Sequence, residues 1–220
     1  MKRLKTGFLL LSLLLMSACK NDPLSGAGDP KSDTWSIDFR GPSFMQGWIE
    51  QIVVEDIKGQ LIRGPSGGGL GSNNLGLDKE YARGWRPNIG NVYTMTGADL
   101  PKRVYVRWQS IIEQITYSGW VSISENARSI MRGSTARRCP KWPEQQASYY
   151  ASLTLGLAPG GVIRVWVQDN CYNYVLVDQD QAQVEPLGPY QGRNQGRYAH
   201  PIDENSKRYV ERWGIPYGSW

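Results

Sequence analysis

Three kinds of side chain in this sequence could do chemistry near neutral pH: one imidazole, three thiols and scattered carboxylates. His200 is the single histidine among 220 residues. One imidazole cannot build a multi-histidine metal centre, which excludes most zinc enzymes. As a general base it would need Asp203 and a distant serine, yet no Gly-x-Ser-x-Gly nucleophile turn is present. Asp203 also stands where a helix would want its cap. Asp178 and Asp180 would project from one face of an extended segment near Asp169, with too few oxygens to prefer a calcium site. No pair of carboxylates stands out for glycoside hydrolysis. The expectation is therefore no catalytic residue, no metal and no cofactor.

The remaining candidates are contact residues. Gly64–Gly76 (GPSGGGLGSNNLG) resembles a phosphate cradle at first. It lacks the Lys-Ser/Thr ending of a P-loop, and Asn74 occupies the place of the last glycine in a Gly-x-Gly-x-x-Gly reading. A long partner-facing loop around Gly68 and Gly69 is expected instead. Arg132, Arg137, Arg138 and Lys141 form the densest basic cluster, suited to an acidic protein surface or to lipid headgroups. Trp85, beside Arg83 and Arg86, and the tail Ile215–Trp220 read as exposed aromatic contacts. Trp108, Trp166 and Trp213 lie in regular elements and are expected in the core or at its edge.

The amino terminus carries an address. Lys2, Arg3 and Lys5 precede an apolar run from Phe8 to Met16, too short for a span of roughly 20 residues. Leu15-Met16-Ser17-Ala18-Cys19 resembles the lipobox of bacterial lipoproteins, in which the cysteine is acylated and becomes the new amino terminus. The expected organisation is a signal peptide over 1–18, a lipidated Cys19 with a flexible tether over 19–33, and one β-rich domain over 34–220. The aspartate that often retains lipoproteins at the inner membrane is absent after Cys19, which favours a periplasm-facing place at the outer membrane. Three cations belong to this leader, so the formal charge of +5 overstates the basicity of what remains. A nearly neutral exported domain is a poor nucleic-acid binder. Cys139 and Cys171 are left as an even pair in an oxidising compartment, and a disulfide is expected between them.

The elements that must position these residues are mostly strands. Period-2 alternation marks Trp48–Ile57, Arg103–Gln109, Ile115–Ile123, Leu153–Leu157, Ile163–Val167 and Tyr174–Asp178, with Pro159-Gly160-Gly161 as a turn. Ser124 can cap a helix through Arg132, stopped by Gly133, with Ala127, Ile130 and Met131 inward. Asp203 can cap another to Trp213, ended by Gly214. The fold class is mainly β, a β-sandwich or bent antiparallel sheet with two or three short helices.

Several phrases are specific enough to suggest a relationship. Thr96–Lys102 (TGADLPK), Val104–Trp108, Leu155–Val167 (LGLAPGGVIRVWV), Val184–Gly192 (VEPLGPYQG) and the Ile215–Trp220 ending resemble the putative Gram-negative lipoproteins called domain of unknown function 2931. Some such lipoproteins are encoded beside lipase-like toxins of type VI secretion. The resemblance therefore implies a periplasmic immunity protein that binds and blocks a secreted lipase-like toxin. The alternative expectation is an envelope structural or glycan-binding lipoprotein without catalytic activity.

Overall fold

The computed structural model describes residues 22–64, 66–71, 84–85, 91–148 and 152–220. Of the expected site residues, Cys19 and Arg86 lie outside this set, as do the signal peptide and the later part of the glycine-rich stretch.

Eleven strands among the described residues form two sheets. They are β1 (Trp35–Arg40), β2 (Gly47–Asp56), β3 (Leu61–Arg63), β4 (Gly69–Leu70), β5 (Asn91–Met95), β6 (Pro101–Ser110), β7 (Ile115–Ser122), β8 (Ser152–Ala158), β9 (Val162–Gln168), β10 (Tyr174–Gln181) and β11 (Gln183–Val184). One sheet runs β10-β9-β8-β1-β5; the other runs β11-β7-β6-β2-β3, with β4 also paired to β2. Two helices complete the domain, α1 (Glu125–Ala136) and α2 (Glu204–Trp213).

The alternation read in the sequence has its usual cause. Val104, Val106 and Trp108 of β6 point inward and meet Ile37, Phe39, Leu153, Leu155 and Val165 of the other sheet in one apolar cluster. Each such fully buried side chain stabilises the fold by about 1.5–3 kcal/mol relative to exposure. The mainly-β expectation holds, with one refinement: β1 and β8 pair in parallel, Ile37 opposite Leu153. Strand β1 was not among the expected strands, although Trp35, Ile37 and Phe39 alternate with Ser36, Asp38 and Arg40.

Ser124 and Asp203 cap their helices as expected, accepting from Ala127 N and from Asn205 N and Ser206 N. Gly133 does not stop α1, which continues to Ala136. A side chain there would meet nothing, and the carbonyl of Gly133 accepts the capping N–H of Arg137. Helix α2 packs Tyr209 flat on Phe44, ring centroids 4.6 Å apart, in a second apolar cluster that also takes in Met45, Ile112 and Trp220. Trp213, expected in the core or at its edge, is 46% exposed with the Arg212 guanidinium over its ring. No helix among the described residues is long and apolar enough to cross a membrane.

Candidate functional site

The expected contact residues do not converge on one place. Trp220 is buried rather than exposed, because its indole N–H donates to Pro159 O at 3.2 Å and its ring joins the α2 cluster. Trp85 is half-buried, lying over Gly156 edge-on to Trp166 at 5.2 Å. A Cβ at position 156 would fall 2.6 Å from both indoles, so the glycine makes room for them. Gly68 is buried too: its carbonyl accepts from Ile49 N, and Gly69 pairs with Trp48 in β4. This part of the glycine-rich stretch is sheet edge, not free loop.

Arg137 and Arg138 are engaged by the segment expected to be a loose tether. Asp29 accepts from both Nε and Nη2 of Arg138 and from Ala147 N at 2.9 Å. The guanidinium and the Ala147 N–H hold the Asp29 carboxyl down at about 2. Arg138 N donates to Leu24 O, Gly26 N to Ala136 O and Ser32 N to Ser148 O, while Arg137 pairs with Asp22. From Asp22 onward the tether is docked, because Asp29 finds two donors on Arg138 just after α1 and a third at Ala147 N that an unattached segment would lack. Cys139 and Cys171 are bonded as expected, with Cα atoms 5.2 Å apart.

That disulfide leads into an exposed edge of the sandwich. Among the described residues, strand β10 ends the five-stranded sheet and pairs only with β9. Its pleat is broken by a bulge between Leu176 and Asp178. Tyr174, Val175 and Leu176 are 37%, 38% and 52% exposed, and Tyr172 just ahead of them is exposed as well. The edge is nonetheless held rigidly. The Arg40 guanidinium lies 4.2 Å over the Tyr174 ring, and Asp178 accepts from Ser124 N at the start of α1. Asp169 holds the preceding turn through Cys171 N and Asn173 N. The Asp169, Asp178 and Asp180 trio is thus split, each accepting from a backbone N–H, Asp180 from Gln181 N at 2.8 Å.

The opposite sheet is partly covered. A strap running from β11 to His200 crosses its outer face, tied down by Glu50. Between Ile49 and Gln51 strand β2 bulges, so Glu50 turns away from the core although Ile49 stays in it. The Glu50 carboxylate accepts from Arg107 Nε at 2.7 Å, Gln109 Nε2 at 2.8 Å and Tyr190 N at 2.8 Å. Gln109 Oε1 in turn accepts from Ala199 N at 2.7 Å, and His200 lies edge-on to Trp48 at 4.9 Å. His200 thereby sits on a tryptophan, and Asp203 is spent on the helix cap. Burial pushes the Tyr198 hydroxyl above its ordinary range in this layer. Beside the strap is a cleft of about 540 Å³ lined by Trp48, Arg63, Ser66, Gly67, Arg107 and Arg193, among others.

A third cluster pins the carboxyl-terminal tail. Glu113 accepts from Tyr117 OH at 3.1 Å, Tyr217 OH at 2.8 Å and Gly160 N at 3.0 Å. Burial first, and the neighbouring carboxylate second, push the Tyr217 hydroxyl up to about 12 and Tyr117 higher still.

Sequence reading passed over Glu50, Glu113 and Asp29. For Glu50 a signal existed: Ile49 faces in, then Ile52 and Val54, and that switch of parity is the mark of a bulge. Asp29 finds its partners across long stretches of chain, as Glu113 does for Gly160 and Tyr217 though not for Tyr117, and spacing does not reveal these contacts.

Residues 18–218 match the model of a family described as Protein of unknown function (DUF2931). No curated protein and no solved structure matches the chain.

Proposed function

The chain belongs to the DUF2931 family, and from that premise we propose that it is a lipid-anchored envelope protein that captures another protein without catalysis of its own. The partner we assign is a secreted lipase-like toxin of type VI secretion, which capture neutralises. The amino-terminal address supports export and attachment through Cys19 to the periplasmic side of the outer membrane. The observation that carries the reading is β10. It is an eight-residue edge strand with exposed Tyr174, Val175 and Leu176 on a rigid mount. Unpaired N–H and C=O groups on an edge of this kind are a template for a strand from another chain. Aromatic and aliphatic anchors beside that ladder are the residues that dominate binding energy at protein interfaces.

The test is protection. Each of a panel of lipase-like type VI secretion toxins is directed to the periplasm of cells that carry or lack the full chain. Survival of at least one toxin with the full chain, and lysis when Leu176→Lys is substituted, are the expected results. Lysis in both strains by every toxin contradicts the proposal.

A further inference from the structure

The cleft beside the strap lies on the other sheet from β10 and invites a different kind of ligand. Its volume of about 540 Å³ falls within the roughly 300–1,000 Å³ typical of small-molecule sites. A flat protein interface would not present such a recess. Its lining mixes apolar side chains (Trp48, Ile49, Ile52) with three arginines and one carboxylate, so the complementary ligand has an apolar face and an anionic group.

The charges can be apportioned. Arg107 forms the floor, 4% exposed at its side chain, and Glu50 neutralises it at 2.7 Å. The same carboxylate takes Gln109 Nε2 and Tyr190 N, so its hydrogen-bonding capacity is turned inward. Arg63, at the end of β3, and Arg193, on the strap, both line the cleft. Both are exposed, and neither is in an ion pair among the described residues. Two unneutralised guanidinium groups over a neutralised floor give a cleft with net positive potential, and the planar fork suits a phosphate or carboxylate.

The wall supplies the second requirement. Trp48 is half-buried and lines the cleft, steadied by His200. Gly67, at φ +90°, leaves the indole uncovered: a Cβ there would lie 3.3 Å from Trp48 Cζ2. An indole beside paired cationic donors matches a sugar ring that carries an acid, because the ring's C–H groups pack on the indole while the acid meets the arginines. The strap is fixed in this shape at some cost. Tyr190 and Gln191 both hold left-handed φ of 51° and 55°, a conformation that persists for such residues only when neighbouring contacts over-determine it. Here the Glu50–Tyr190 hydrogen bond provides that constraint and sets the position of Arg193.

We propose that this cleft is a binding site for an anionic monosaccharide unit, a sugar phosphate or a uronic acid, separate from protein capture by β10. The test is calorimetric titration of the full chain, purified in detergent, with glucose 1-phosphate, glucuronate, glucose and inorganic phosphate. One-to-one binding of at least one anionic sugar is expected, tighter than glucose or phosphate by tenfold or more and weakened by salt. Arg63→Gln with Arg193→Gln should lower that affinity at least tenfold while leaving the thermal unfolding midpoint in place. Ser66→Trp, which fills the mouth from an exposed position, should do the same without touching a charge. The proposal is overturned if neither anionic sugar binds, or if both variants bind as well as the parent. It is also overturned if inorganic phosphate matches the sugars, or if a poly-glutamate peptide binds in their place more tightly. Loss of lipase protection in the Leu176→Lys variant, with sugar binding intact, would separate the two surfaces.

Discussion

The two sheets of this sandwich treat their exposed sides differently. The six-stranded sheet is better protected: its edges are the short strands β3 and β11, of three and two residues, and a strap clamped by Glu50 lies over part of its outer face, leaving Leu61, Val184 and Trp120 exposed. The five-stranded sheet ends in β10, eight residues long, with an apolar run in the open. Proteins ordinarily blunt edges with short strands, charges or covering segments. The first sheet uses two of these devices, whereas β10 has only its bulge and the aspartates Asp178 and Asp180. An edge that is both sticky and braced by a disulfide is better explained by a partner than by folding alone.

The contrast breaks most severely if the covered sheet is made to resemble the open one. Glu50→Ala leaves Arg107 as a buried charge without its carboxylate and releases Tyr190 N from the strap. A loss of about 3–5 kcal/mol is expected, in line with breaking other buried pairs, read as a lower denaturant midpoint. Glu50→Gln, which keeps the shape and some hydrogen bonds, should lose less.

Loosening the mount of β10 comes next. Cys139→Ser with Cys171→Ser opens a loop of sequence separation 32, which should cost about 3 kcal/mol. Hydrogen exchange should rise first across residues 169–178 and only later in β6. Equal acceleration in both strands would show that β10 is no separate unit.

A smaller effect concerns the docked amino-terminal segment. Asp29 has its folded-state pKa lowered to about 2, below an unfolded value near 3.9. Its contribution is therefore fully present above about pH 4 and lost as the pH falls toward about 2. Proteolysis of residues 22–33 by an acid-active protease should become faster over that window, and Asp29→Asn should make it fast already at pH 5. Smallest in stability is Leu176→Lys, a surface change expected to move the unfolding free energy by no more than about 0.5 kcal/mol. Its weight falls on binding instead.

Legibility in the sequence followed how far apart the interacting parts lie. Local alternation marked β2, β6, β7, β8, β9 and most of β10, and Ser124 and Asp203 announced both helices. Strand β1 was equally periodic but followed a proline-rich segment that read as tether. The docking of Asp29 on Arg138 joins residues far apart in the chain and has no local signature. Aromatic residues misled for a similar reason: Trp85 and Trp220 sit in turn-rich segments that look exposed, yet Gly156 and Pro159 O provide each with a seat. Exposed aromatic side chains lie instead at Trp120, Trp213, Tyr217, Tyr172 and Tyr174, the last two in a short run after Cys171 whose β character was plain but whose edge position only the topology supplies.

The central claim is that β10 captures and silences a lipase. Its most direct measurement is a titration of lipase-like type VI secretion toxins with the full chain in detergent micelles, following ester hydrolysis. The account requires the activity of at least one toxin to fall to baseline near one equivalent, and the Leu176→Lys variant to need at least tenfold more protein. Undiminished hydrolysis by every toxin at excess chain, or equal inhibition by parent and variant, would contradict it.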